Sequence, residues 1–281
     1  CLSCSANSQM ETDPNQVLIF SLIPTETTGE LNETTAAVSH AVIEEAFFAF
    51  HIVNSVADEM DGTITLDYCA YSEIDGILGE HVLGNLDDIT NPDVRDGMNQ
   101  QCDSYTRIVV DVESAKVISR MELPLNDAEK NSYTFELSGI NPLYQGKDHC
   151  YMYALSYHVK GSTLLEDMGI IKVDVCTAAA EARGKAKSHS EFKGVDSLVP
   201  GLPSVVGLFS APGLYVGEPV FVPDPQGATE DSGVLLVVTR IEDTSSLRVI
   251  NAITMEEVAH MDAPFPLMFE FHGQWFGDEK K

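Results

Sequence analysis

Apolar residues in this chain cluster in short runs divided by polar, Gly- and Pro-containing turns, and most of the runs read as strands. Residues 16–23 are largely apolar and end at Pro24. Residues 62–71 (GTITLDYCAY) and 106–112 (TRIVVDV) are rich in the β-branched and aromatic side chains that fit a pleated surface. Residues 132–137, 150–158, 169–175 and 214–222 follow the same pattern. The last third is clearest: residues 233–241 (GVLLVVTRI), a polar turn at 242–246, then 247–252 and 257–261 predict an antiparallel meander. Several runs are apolar on consecutive positions, which predicts strands buried on both faces.

Helical signals are confined to residues 71–86 and 177–187, the second being richer in Ala, Glu and Lys. Strands and helices do not alternate, so a doubly wound α/β fold is disfavoured. Repeated short meanders over 281 residues predict an all-β architecture, a propeller or a large sandwich, without a repeat strict enough to count blades. Residues 184–217 are punctuated by Gly, Ser and Pro and predict a long connection. Its uncharged part, residues 197–217, contains Pro200, Pro203 and Pro212, which break any continuous helix. A loop over the core is favoured there over a shallow membrane contact, and no transmembrane segment is expected.

Charge narrows the partners. With 16 Lys+Arg against 44 Asp+Glu, the net charge is −28. That argues against nucleic-acid binding, which needs basic side chains at phosphates, and it weakens attraction to anionic lipid. Cys1, Cys4, Cys69, Cys102, Cys150 and Cys176 are dispersed and supply only one C-x-x-C, so reduced, mostly buried thiols are expected rather than a zinc site or a disulfide framework. Residues 1–15 show no basic region, no apolar stretch and no initiating Met, so the chain reads as processed or incomplete. Asn32-Glu33-Thr34 fits the glycosylation acceptor pattern, a short match of low specificity.

The eight histidines form no H-E-x-x-H, and G-x-S-x-G, P-loop and dinucleotide-binding patterns are absent. Two histidines stand out because aromatic residues surround them. His51 follows Phe47-Phe48-Ala49-Phe50, and His272 lies in Phe269-Glu270-Phe271-His272-Gly273. A buried imidazole needs partners for both ring nitrogens, and a metal on one with a carboxylate on the other satisfies both. Taken singly, each reads more readily as a hydrogen-bonded structural histidine than as a metal ligand. His40, in a polar context, reads as a surface residue.

Longer motifs give these histidines a context. Gly217-Glu218-Pro219-Val220-Phe221-Val222-Pro223, then Glu230-Asp231-Ser232-Gly233-Val234-Leu235-Leu236, then Ala259 and Phe271-His272-Gly273 resemble the closing segment of the carotenoid cleavage oxygenases. Upstream, Phe50-His51-Ile52-Val53-Asn54-Ser55 resembles that family's FH-x-x-NA, and Phe135-Glu136-Leu137-Ser138-Gly139-Ile140-Asn141-Pro142 resembles its E-[FL]-P-R-I-N-P. The resemblance implies a seven-bladed β-propeller, here its C-terminal blades only, with Fe(2+) on the axis held by four histidines. It implies that His51 and His272 are the third and fourth metal ligands, with Glu136 and Glu218 accepting hydrogen bonds from their other ring nitrogens. The implied reaction is cleavage of a conjugated double bond of a carotenoid or apocarotenoid by O2, giving two carbonyl products. Phe48 and Phe269 are candidates for an apolar tunnel, though core packing suits them better. The compartment is left open, with cytoplasm or plastid as the candidates and peripheral membrane contact also open.

The sequence also departs from that pattern. The first two histidine ligands should lie on earlier blades, and only His40 precedes His51, so residues 1–281 read as the C-terminal part of such a protein. Ser138-Gly139 replaces Pro-Arg, and Ser55-Val56-Ala57-Asp58 replaces an Ala-Tyr-Glu-Asp type. A non-catalytic, propeller-derived protein binding an apolar ligand or a protein partner is the alternative.

Overall fold

The computed structural model describes residues 17–20, 38–41, 49–71, 104–159, 167–177, 196–197, 204–267 and 272–276. They are almost entirely β. Strands β1 (Val17–Phe20) and β2 (Val38–Ala41) form an antiparallel pair by themselves. The first large sheet is an antiparallel meander of β3 (Ile52–Asp58), β4 (Thr63–Cys69), β5 (Ser104–Asp111) and β6 (Lys116–Pro124). The two-residue β10 (Asp196–Ser197) adds to β6 in parallel. The second sheet runs β7 (Glu136–Gly139), β8 (Tyr151–Ser156), β9 (Gly169–Asp174) and β11 (Val205–Ser210), all antiparallel. In the third, β14 (Gly233–Ile241), β15 (Thr244–Asn251) and β16 (Glu257–Asp262) form the meander expected from the sequence. β12 (Leu214–Val216) and β13 (Val220–Pro223) share the other side of β14.

The second sheet lies between the other two, and its sequence shows why. Side chains alternate faces along a strand. Met152, Ala154, Ile171 and Val173 pack with Cys69, Tyr105 and Leu123 of the first sheet. Tyr153, Leu155 and Ile170 pack with Leu214, Phe221, Leu235, Val237 and Ile250 of the third. β8 and β9 are therefore buried on both faces, as the consecutive apolar residues Met152-Tyr153-Ala154-Leu155 and Ile170-Ile171 predict. β14 also has such a run, yet its burial alternates, because only one face of the third sheet meets the core.

Polar contacts lock the second sheet to the third. Lys172 shares a face with Ile170; its ammonium reaches Asp231 at 2.7 Å and lies over the Tyr151 ring. Both oxygens of Glu230 accept from the Cys150 N–H, and Oε1 also accepts from the Tyr151 N–H at 2.8 Å. Asn141 Nδ2 donates to the Glu230 carbonyl at 2.7 Å. The Glu230–Gly233 motif is thus a clamp between sheets. Its glycine is required: a Cβ on Gly233 would lie 2.4 Å from the Val222 carbonyl oxygen.

Several expectations are corrected. The cysteines are not all reduced, since Cys150 and Cys176 form a disulfide across the open end of the β8–β9 hairpin, and Cys69 is disulfide-bonded as well. Sequence spacing conceals this pairing, because the hairpin brings together two cysteines 26 residues apart. The expected connection over 184–217 contains β11, an apolar run disguised by its Gly- and Pro-rich flanks. The strand expected over 214–222 is broken between β12 and β13. Pro219 there has no N–H to give a ladder, and the Gly217 N–H bonds the Val238 carbonyl. β3 and β6 had no strong apolar signature, being partly exposed strands. Of the expected helix over 177–187, only Thr177 is described, within helical residues 175–177; residues 72–86, Phe48 and Phe269 lie outside the described residues. Among the described residues, no helix is long and apolar enough to cross a membrane.

Candidate metal centre

Each of the three large sheets contributes an edge to one place. His51 immediately precedes edge strand β3, Glu136 opens edge strand β7, and Glu218 sits in the break between β12 and β13. His272 comes from the last described segment. The two imidazoles, from opposite ends of the sequence, stand with ring centroids 5.2 Å apart at 72°.

His51 Nδ1 lies 2.5 Å from Glu136 Oε2. An ionised carboxylate only accepts hydrogen bonds, so Nδ1 carries the proton and Nε2 keeps its lone pair. Glu136 is buried, and its other partners are also in place: the Leu137 N–H donates to Oε2 at 3.1 Å, and the Tyr71 hydroxyl donates to Oε1. The hydrogen bond to Glu136 raises the His51 pKa above its usual 6.5. Burial opposes that shift, while the charges of Glu136 and Glu218 add to it.

The second arm has the same plan. His272 Nδ1 lies 3.4 Å from Glu218 Oε1, and the Gly273 N–H donates to Glu218 Oε2 at 2.6 Å. The His272 side chain is 65% exposed against 31% for His51. Gly273 permits the close approach, since a Cβ there would lie 2.9 Å from a Val220 methyl.

Local structure aims these groups. A bulge interrupts the β7–β8 pairing between Glu136 and Gly139, and Leu137 adopts φ +48°. For a non-glycine residue that conformation costs about 1–2 kcal/mol. It lets Glu136 face His51 while Leu137 enters the core with Tyr153 and Leu155. Gly139, where the family pattern has Arg, is in close contact: a Cβ there would be 3.0 Å from the Pro219 carbonyl oxygen. β7 and the Glu218–Pro219 turn are thereby pressed together.

All four residues singled out from the sequence, His51, His272, Glu136 and Glu218, meet here in the expected pairs. Tyr71 escaped notice, although its place at the end of the β4 run, on the same face as buried Cys69, was a usable signal. Asn54 belongs to the His51 motif but works elsewhere. Buried, it donates to the Lys147 carbonyl and to His149 Nδ1, and it accepts from the Gly146 N–H, tying β3 to the 142–149 turn. His149 is buried near the Asp67–Arg107 ion pair, and burial lowers its pKa.

The donor chemistry suits a divalent transition metal. Two neutral imidazoles offer Nε2 while carboxylates on Nδ1 fix the tautomer and offset charge. Two nitrogens are only part of a coordination shell, and among the described residues no group of three or more His, Cys, Asp or Glu side chains is arranged to hold an ion.

Known proteins resemble the chain in sequence and in fold. Residues 3–277 match the family described as Retinal pigment epithelial membrane protein. Carotenoid cleavage dioxygenase 8 of Arabidopsis thaliana, a chloroplastic protein, is 24% identical over 256 residues, covering 87% of this chain and 38% of that protein. Torulene dioxygenase of Fusarium fujikuroi is 28% identical over 257 residues, covering 81% and 37%. The chain therefore spans less than two fifths of the length of these relatives. Among solved structures, a cobalt-substituted apocarotenoid oxygenase of Synechocystis superposes with a TM-score of 0.57 at 20% identity, covering 92% of this chain and 43% of that one. A chimera of apocarotenoid oxygenase and RPE65 gives 0.55 at 19%, covering 85% and 41%.

Proposed function

Because the chain belongs to the Retinal pigment epithelial membrane protein family, that of the carotenoid cleavage oxygenases, we propose that it forms the C-terminal part of an Fe(2+)-dependent oxygenase acting on carotenoids or apocarotenoids. The observation that carries this reading is the meeting of His51 and His272, each with Nδ1 on a carboxylate. In this reading the three large sheets are blades of a propeller, and the sheet edges at which His51, Glu136 and Glu218 sit face its axis. His51 and His272 supply two of four imidazole ligands, the other two coming from outside these residues. Iron, when bound, would supply activation of O2 toward a conjugated double bond.

The chain's own residues prepare that site. Glu136 and Glu218 keep Nδ1 protonated and Nε2 bare, and their negative charge compensates the cation without taking up coordination positions. The substrate would be a long, apolar polyene with no charge to pair, which fits a centre whose carboxylates are engaged by histidines and backbone N–H groups. The three disulfide-bonded cysteines, Cys69, Cys150 and Cys176, favour an oxidising compartment over the reducing cytoplasm.

Metal titration of the 281-residue chain tests this, with Co(2+) as a spectroscopic stand-in for Fe(2+). One ion per chain is expected, with uptake lost in His51→Ala and in His272→Ala. Uptake that both substitutions leave intact would refute the assignment. A chain that takes up no metal would favour the non-catalytic, ligand-binding alternative.

A further inference from the structure

We infer that Tyr71 is a positioning residue for the His51 arm, its phenol holding Glu136 in the orientation that fixes the imidazole; this rests on the metal-centre reading above. The hydroxyl donates to Glu136 Oε1, the oxygen that His51 does not use. Oε2 already serves His51 and the Leu137 N–H. With both oxygens held from different directions, the carboxylate plane cannot rotate without breaking a buried hydrogen bond.

Tyr71 is itself well anchored. It is 5% exposed and packs with Leu125, Tyr133 and Phe135 in the core between the first and second sheets. Its ring meets Phe50 edge-on at 5.8 Å, and the Phe50 ring lies 6.3 Å from His51. Tyr71 thus touches both the carboxylate behind the imidazole and the residue immediately before it. Burial, reinforced by the Glu136 charge, pushes its phenol pKa well up, so it remains a donor throughout the working pH range. Glu218, by contrast, receives its second hydrogen bond from the Gly273 backbone.

The test is Tyr71→Phe, which removes one oxygen and keeps the ring. In the metal-free 281-residue chain, the ring-nitrogen NMR signals of His51 should change from a single Nδ1–H form to a mixture of tautomers, while those of His272 stay unchanged. Co(2+) affinity should fall about tenfold, the lower end of what removing an outer-shell partner costs. A loss of stability with unmoved His51 signals and unchanged Co(2+) affinity would overturn the inference and leave Tyr71 a core residue only. The nitrogen signals need no metal, so they judge Tyr71 even where the wild-type chain takes up no Co(2+) and the metal-centre reading fails. Should Tyr71→Phe not fold, Tyr71→Phe combined with Glu136→Gln decides. Recovery of the fold identifies the stranded carboxylate as the cause and supports the role; continued failure overturns it.

Discussion

His51 and His272 each give Nδ1 to a carboxylate, but the carboxylates are held differently. Glu136 is buried and gripped by a side chain from the end of β4, a backbone N–H of β7 and the imidazole itself. Glu218 is held by the N–H of the residue next to its own histidine, and its 3.4 Å contact with that histidine is long. The first arm is assembled from two sheets packed over a shared core, the second from one turn and the last described segment. A ligand held before the metal arrives loses less freedom on binding, so preorganisation is concentrated at His51.

The largest effects should come from the ligands themselves. His51→Ala and His272→Ala should each abolish specific Co(2+) uptake, and in a complete protein His272→Ala should abolish double-bond cleavage. The outer carboxylates separate the arms more finely. Glu136→Gln and Glu218→Gln should each weaken metal binding within about 10–100-fold, with Glu136→Gln at the upper end. Equal losses, measured by Co(2+) titration, would break the proposed asymmetry; a larger loss at Glu218 would reverse it.

The disulfides mark a further difference. Cys69 lies two residues before Tyr71, and Cys150–Cys176 closes the hairpin of the sheet that bears Glu136. Chain-entropy arguments give a bridge with a 26-residue separation about 3–4 kcal/mol of stability. Replacing Cys150 and Cys176 by Ser should lower the denaturant midpoint correspondingly. It should also disturb the His51 ring signals more than those of His272.

What the sequence disclosed follows from periodicity and local motif. The meander of β14, β15 and β16 was legible because polar turn residues separate its strands and β14 carries the apolar run Val234-Leu235-Leu236-Val237-Val238. β11 was not, because its five apolar or small residues sit among prolines and glycines that outweigh them locally. The four site residues were legible only through longer motifs. Nothing in the neighbourhood of residue 51 specifies that residue 136 will face it; that depends on a bulge and a left-handed Leu137, which are tertiary outcomes. The Glu230-Asp231 pair resembled part of a family signature, but its work in bridging Lys172 and the start of β8 appears only once the sheets are stacked. Tyr71 was hidden because a tyrosine in a strand has an adequate explanation in packing alone.

The smallest effect, pH dependence, isolates the His51 arm. Its pKa is raised in the folded chain, chiefly by the hydrogen bond to Glu136. A raised value means that the folded state holds the proton longer than the unfolded one. The stabilisation is therefore complete below the unfolded value near 6.5 and is lost as pH rises through the higher folded value. His149 and His158 are shifted the other way, both by burial, so their contribution falls below 6.5 and vanishes above it. As pH rises from about 6.5 through the higher folded value, the melting temperature of the metal-free chain should decline gently, and Glu136→Gln should flatten that decline. Metal affinity should rise over the same window, because only the neutral ring offers Nε2. A melting temperature that climbs through this range, or declines equally in Glu136→Gln, would show that the His51–Glu136 bond does not distinguish the two arms.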